Sequence, residues 1–234
     1  MIRPILVWLA ADAAGGKAEE ALPAAEAMEL LHVAALIHDD IIDRADERRG
    51  LPALHRSIGE SAALVVGDYL ILRSFDVLAR AVTNESSVRV LKAVRALSRF
   101  AQECCRGQLR EIAPYPDGRF EELAQNGARR TLCASEQQYF SIVRGKTASQ
   151  FAAAVTLGAV SGNASDGDLR ALRTFGVNAG IAFQIRDDEL DLIGDSAVLG
   201  KPAGTSMGAG RPMLPFIYLA KHGSPDALAA FAAM

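Results

Sequence analysis

From Ala24 to Ile42 the chain runs 19 residues without a glycine or a proline. The stretch AAEAMELLHVAALIHDDII is rich in alanine and leucine and reads as helix, with Pro23 marking its start. Apolar residues surround most of its circumference, which predicts a buried helix. Yet the run ends in DDIID, with Asp39, Asp40 and Asp43 inside five positions. Charge is costly to bury unless it is paired or bound to metal. A cation holding a polyanionic substrate at the end of this helix resolves the conflict.

Helical period continues along the chain. It is carried by ESAALVVGDYLILRSFDVLARAV, SSVRVLKAVRALSRFAQECCRGQLREI, SEQQYFSIVRGKTASQFAAAVTLGAV, GDLRALRTFGVNAGIAFQIRDDELDLIG and PMLPFIYLAKHG. Breaks fall at GLP, APYPDG and SGNASDG, and no alternating strand pattern is sustained. Short connections predict an all-α fold, a single antiparallel helical bundle. The 234 residues, half of them hydrophobic, suffice for one large core. A net charge of -3 gives no broad attraction to nucleic acid. Cys104, Cys105 and Cys133 lack zinc-site or disulfide spacing and read as incidental thiols in a reducing cytoplasm. No apolar run reaches the roughly 18 residues of a spanning helix. The opening MIRPILVWLA lacks the plan of a signal peptide, so a cytoplasmic location is expected.

One chemical echo crosses the chain: DDIID near its start and DDELD near its end. Residues four apart share a helix face. Asp39 and Asp43 therefore converge, and so do Asp187 and Asp191, while Asp40 and Asp188 are turned roughly 100° aside. Each pair is a hard-oxygen site of the kind magnesium prefers, completed by water and substrate phosphate. Two pairs facing each other would hold a small magnesium cluster and, through it, a diphosphate. Cations stand nearby in sequence. Arg48 and Arg49 follow the first pair, and guanidinium forks match phosphate oxygens. The GKT at Gly145 to Thr147 is no nucleotide loop, because Phe140 occupies the position where that motif needs glycine. Lys146 and Thr147 can still offer a charge and a hydroxyl to phosphate. Lys201 follows the second pair, and Gln184 precedes Asp187 on nearly the same face.

These motifs resemble those of the trans-isoprenyl diphosphate synthases, the polyprenyl synthetase family. HDDIIDRADERRGLPALH is similar to the family's first aspartate-rich motif and FQIRDDELDLIG to its second. GDYL, the GQ of Gly107 and Gln108, GKTA and GKPAG follow in the family's order. The resemblance spans nearly the whole chain. It implies an all-α bundle with a deep central cavity, a homodimer, and magnesium, about three ions per active site. It implies condensation of an allylic diphosphate with isopentenyl diphosphate. On matching positions, Asp39, Asp43, Asp187 and Asp191 would bridge metal to the allylic diphosphate. Arg48, Lys146 and Lys201 would contact that diphosphate, with Thr147 and Gln184 lining its site. Arg3 and Arg49 would bind isopentenyl diphosphate beside His32, which taken alone reads as a satisfied core histidine.

The resemblance also frames chain length. Ala34 and Ala35 lie about one turn before Asp39, along the tunnel expected to receive the growing tail. Two alanines leave the tunnel open there, so the stop is expected deeper, at Leu31 or Met28, and the product longer than geranylgeranyl diphosphate. A short-chain synthase is the alternative, as is a non-catalytic subunit of a heteromeric enzyme. A phosphohydrolase built on His38 and Asp39 would need metal-binding histidines in a pattern that His32, His55 and His222 do not form. Terpene cyclases normally replace the second motif, which is intact here. The sequence departs from the family at MIRP, where a preceding lysine segment is usual, and at ALAAFAAM, where further helices are usual. Residues 1–234 are thus expected to form one domain lacking parts of both family termini. Ser206 stands where aspartate is common.

Overall fold

The computed structural model describes residues 1–80, 87–112, 135–193 and 211–232. Helices α1 (Ile2–Ala13) and α2 (Ala18–Ile42) lead into a hairpin of two short strands, β1 (Glu47–Arg48) and β2 (Leu51–Pro52). Helices α3 (Leu54–Ile58), α4 (Glu60–Arg80) and α5 (Ser87–Ile112) follow, then α6 (Glu136–Val143). A π-helical turn (Arg144–Ala148) joins α6 to α7 (Ser149–Ser161). Helices α8 (Asp166–Ile193), α9 (Leu214–His222) and α10 (Pro225–Ala232) complete the described chain. The fold is all-α, as expected, with the hairpin as the one piece of sheet among the described residues.

Helix α7 is the axis of the bundle. Every residue from Ser149 to Val160 is buried. Its sequence, SQFAAAVTLGAVS, carries no charge, and a helix that is apolar all round needs neighbours on every side. They are α1, α2, α5 and α8. The alanines Ala152, Ala153 and Ala154 let those helices approach closely. Around them Val7, Met28, Leu31, Val77, Leu97 and Leu157 form the main core, each large side chain contributing about 1.5–3 kcal/mol of burial.

Four local readings change. Helix α2 begins at Ala18, and Pro23 lies inside its second turn. Proline costs one hydrogen bond to the residue four before it. The start is favoured instead by Glu19 and Glu20 at the positive end of the helix dipole. Burial of Ala21, Ala24, Ala25 and Met28 then holds the turn around Pro23 in place. Second, α2 is not enclosed on all sides, since Leu22 and Val33 are 56% and 37% exposed. Third, α2 is long and apolar enough by length and composition to cross a membrane, although no unbroken apolar run suggested it. In the bundle it packs on α1, α4 and α7 and carries the first aspartate motif at its end. Fourth, the run expected as one helix from Ser135 to Val160 is interrupted by the π turn at Arg144–Ala148.

The break at GLP is also more ordered than a plain loop. Arg49 and Gly50 adopt φ of 55° and 75°, the signature of a two-residue turn of type I′. Glycine takes that conformation freely, whereas an arginine held there costs roughly 1 kcal/mol or more.

Candidate active site

Helix α2 delivers the first aspartates at its last turn. Lys146 Nζ donates to Asp39 Oδ1 at 2.7 Å, and Arg211 pairs with Asp43. Asp40 is turned away and only 4% exposed. It accepts the Arg48 guanidinium, from Nε to Oδ1 at 2.9 Å and to Oδ2 at 3.3 Å. The hairpin turn sets that geometry by aiming Arg48 back at the helix end. Burial alone would lower the Arg48 pKa, but its bond to Asp40 and the charges of Asp40, Asp39 and Asp187 raise it. One guanidinium therefore senses carboxylates of both aspartate motifs.

Helix α8 carries the second motif. Asp191 is buried there. Asp188 accepts from Tyr139 Oη at 2.6 Å and from Gln184 Nε2 at 2.8 Å. Burial pushes the Asp188 carboxyl up, its two hydrogen bonds pull it down, and Asp187 and Asp191 push it up again, to about 6. In each motif, then, the middle aspartate is satisfied by protein groups, but the second motif departs from the expected pairing of Asp187 with Asp191: Asp191 is buried on the side of Asp188, three residues before it, while Asp187 is exposed.

Lys146 is positioned by backbone contact. A Cβ on Gly107 would lie 2.3 Å from the Lys146 nitrogen, and one on Gly145 would lie 2.7 Å from Gly107 Cα. These two glycines let α5 touch the π turn, a distortion often found at functional sites. Lys146 Nζ also donates to Glu111 Oε2 at 2.5 Å. Burial alone would lower its pKa, but Glu111 and Asp39 raise it. Thr147 Oγ1 donates to Gln184 Oε1 at 2.6 Å.

A second group of residues forms beside the first. An Arg3 guanidinium nitrogen lies 3.0 Å from His32 Nε2, joining α1 to α2. Burial, then the charges of Arg3, Arg49 and Arg48, hold the His32 pKa down to about 3. The imidazole is therefore neutral and accepts from Arg3. Burial likewise lowers Arg3 to about 10, with Glu29 opposing and Arg49 assisting. Arg3, His32 and Arg49 thus share one electrostatic neighbourhood. Arg3 also stands over the Phe151 ring, 5.5 Å from its centroid. Two buried atoms of this group, Arg3 Nε and His32 Nδ1, lack hydrogen-bond partners. Such atoms cost free energy unless a ligand satisfies them.

Below Asp39, Ala34 is fully buried and Ala35 partly so. Leu31 and Met28 belong to the main core. Lys201, Ser206 and Cys133 lie outside the described residues.

The sequence profile of the polyprenyl synthetase family matches residues 1–233. The chain belongs to the polyprenyl synthetase family. It is 41% identical over 210 residues to the geranylgeranyl diphosphate synthase of Methanosarcina mazei, covering 90% of this chain and 60% of that relative. Its fold is similar to geranylgeranyl pyrophosphate synthetase from Pyrococcus horikoshii, with a TM-score of 0.83, 32% identity, and coverage of 99% of this chain and 66% of the other. It is also similar to geranylgeranyl pyrophosphate synthase from Corynebacterium glutamicum complexed with isoprenyl diphosphate and magnesium, with a TM-score of 0.77 and 29% identity over 99% of this chain and 72% of the other. The chain spans about 60% of the length of the curated relative.

The donor set fits the metal this family uses. Among the described residues, no three His, Cys, Asp or Glu side chains are drawn together closely enough to hold a metal alone. The outer aspartates nevertheless offer hard carboxylate oxygens, and Asp39 and Asp43 already hold cationic side chains, Lys146 and Arg211. Positive charge is favoured at these positions, and a dication with a diphosphate suits them.

Three site residues escaped the sequence reading: Glu111, Arg211 and Tyr139. Glu111 follows Gly107 by four residues on one helix face, a spacing that could have exposed it. Arg211 and Tyr139 had no local signal, since their partners lie 168 and 49 residues away.

Proposed function

We infer that the chain acts as a magnesium-dependent prenyl diphosphate synthase, joining isopentenyl diphosphate to an allylic diphosphate. The observation that carries this reading is Arg48, bonded to Asp40 from Nε to Oδ1 at 2.9 Å and raised in pKa by the charges of Asp39 and Asp187 as well. That coupling supports a shared anion site between the two motifs. The residues fit two diphosphates: Lys146, Arg48 and Thr147 for the allylic one, and Arg3, Arg49 and His32 for the other.

Bound magnesium would neutralise charge that develops on the leaving diphosphate. Asp39, Asp43, Asp187 and Asp191 would hold it. Lys146 and Arg48 would stabilise the departing oxygens as the allylic C–O bond breaks and its electron pair goes to diphosphate. Arg3 and Arg49 would orient isopentenyl diphosphate so that its double bond forms the new C–C bond. The proton then lost from the adduct goes to the released diphosphate. The apolar neighbourhood of Ala34, Leu31 and Phe151 excludes water from the cation.

A product longer than geranylgeranyl finds no support, and that expectation is withdrawn. The relatives cited are named for geranylgeranyl synthesis. Met28 and Leu31 are locked into the core with Val77 and Leu97, which favours a floor at that depth. Geranylgeranyl diphosphate is the product we propose. A homodimer is supported by Val65, Tyr69 and Leu72, an exposed apolar row on one face of α4 that a second copy would cover. Incubation with labelled isopentenyl diphosphate, farnesyl diphosphate and magnesium, followed by chromatography, tests the reading. A product one isoprene unit longer than the primer is expected. Recovery of unextended primer with free phosphate would favour a hydrolase instead.

A further inference from the structure

Both oxygens of Asp188 accept hydrogen bonds from uncharged protein groups: Tyr139 Oη donates to Oδ2 and Gln184 Nε2 to Oδ1. Gln184 is in turn held by Thr147 Oγ1 through its own Oε1. A single chain of hydrogen bonds therefore runs Thr147, Gln184, Asp188, Tyr139. It starts on the π turn, crosses α8 through two residues one turn apart, and ends on α6.

The two ends of this chain matter for different reasons. Thr147 directly follows Lys146, so the chain begins where the site's lysine is placed. Tyr139 is 2% exposed, packed with Val143 and Ile217 and set edge-on to Phe140, with ring centroids 5.3 Å apart. Its ring cannot swing away without opening that cluster. Asp187 and Asp191 sit one and three residues from Asp188 on the same rigid helix, so a clamp on Asp188 fixes the rotation of α8 about its axis. Rotation decides whether the outer aspartates face the site.

We propose that Tyr139 is a positioning residue: through Asp188, Gln184 and Thr147 it locks the second aspartate motif in register with Lys146. This rests on the synthase reading. Asp188 then holds the helix and leaves phosphate and metal to its neighbours. Burial and the charges of Asp188 and Asp187 keep the tyrosine protonated, so it serves as a donor at every working pH.

Calorimetric binding of inorganic pyrophosphate with magnesium to the whole chain tests the proposal without turnover. Tyr139→Phe keeps the ring and removes the donor, leaving one buried carboxylate oxygen without its partner. Binding should weaken roughly 5- to 100-fold. Thr147→Val should weaken it too, and the double variant should lose less than the product of the two single losses, because the chain is broken once in either case. Gln184→Met cuts the chain at a partly exposed residue and should match Tyr139→Phe, which keeps the test usable if the tyrosine variant does not fold. Wild-type binding by Tyr139→Phe, with only its melting temperature lowered, would overturn the proposal. So would losses from Tyr139→Phe and Thr147→Val that multiply independently. Absence of pyrophosphate binding by the wild-type chain would instead overturn the synthase reading itself.

Discussion

Lys146 Nζ lies 2.7 Å from Asp39 Oδ1 and 2.5 Å from Glu111 Oε2, so a lysine from the π turn joins the first aspartate motif to helix α5. The two carboxylates overcome the effect of burial and keep the amine charged. Lys146→Gln should remove that charge and leave Asp39 and Glu111 facing each other. Turnover should fall about 100-fold or more, the scale on which one preorganised cation acts. Glu111→Gln should cost less, about tenfold, because Asp39 still holds the amine. Steady-state kinetics decide this, and a larger loss from Glu111→Gln than from Lys146→Gln would reverse the roles.

The outer aspartates carry the metal prediction. Asp39→Ala and Asp187→Ala should each abolish most turnover while circular dichroism and unfolding stay close to wild type, since both lie at helix ends or faces outside the main core. Near-normal turnover in both variants at limiting magnesium would sink the assignment.

Arg48 and Arg49 are adjacent on the hairpin and both act on His32, but only Arg48 is bonded to an aspartate of the first motif. Arg48 bonds to Asp40 beside the two motifs, while Arg49 adds its charge to Arg3 and His32. Arg48→Ala should raise the KM of the allylic substrate more, and Arg49→Ala that of isopentenyl diphosphate, each about tenfold or more. Matching effects on both substrates from both variants would remove the division.

This split shows what the sequence exposed and what it hid. The all-α class and the aspartate periodicity rest on helical spacing, which is local, whereas the grouping of Arg3, His32 and Arg49 came only from the family resemblance. The role of Asp40 was half visible: four-residue spacing turned it aside, but nothing in DDIID announced Arg48 as its partner. Arg48 reaches it because Arg49 and Gly50 form a tight turn, and a positive φ at arginine leaves little mark in a sequence. The π turn at Arg144–Ala148 was hidden for a related reason. Its cause is tertiary, the contact of Gly107 with Gly145, although both glycines sat in motifs already marked. Pro23 misled because a rule about helix starts competed with acidic residues and burial upstream of it.

His32 gives a pH prediction. Burial first, then Arg3, Arg49 and Arg48, depress its pKa to about 3 in the folded chain. The unfolded chain binds that proton near pH 6.5, about the ordinary histidine value. Between about pH 6.5 and about pH 3 the unfolded state holds more protons, so stability falls as pH falls, by up to roughly 1.4 kcal/mol per pH unit. Above about pH 6.5 the residue contributes no pH dependence. His32→Gln removes this titration. Urea denaturation at about pH 7 and about pH 5 should show a smaller acid loss in the variant than in wild type. Equal losses would mean that other groups set the acid limb.

Ala34 supports the prediction about product length. It is fully buried on α2, five residues before Asp39, or about 7.5 Å along the helix at 1.5 Å per residue. Met28 lies a further six residues down, about 9 Å deeper by the same rise, within the main core. A tail that grows past Ala34 and stops at that floor would be cut short by a ring placed at Ala34. Ala34→Phe should therefore move the product from geranylgeranyl toward farnesyl diphosphate, at a stability cost of about 1–3 kcal/mol for overpacking. Ala35→Phe, at a partly exposed neighbour, should shorten the product with a smaller loss of stability. Met28→Ala should lengthen it by deepening the floor, at a cost of about 2–5 kcal/mol. Chromatography of products made with excess isopentenyl diphosphate reads all three. An unchanged product from folded Ala34→Phe and Ala35→Phe variants would place the tail on another face of the bundle.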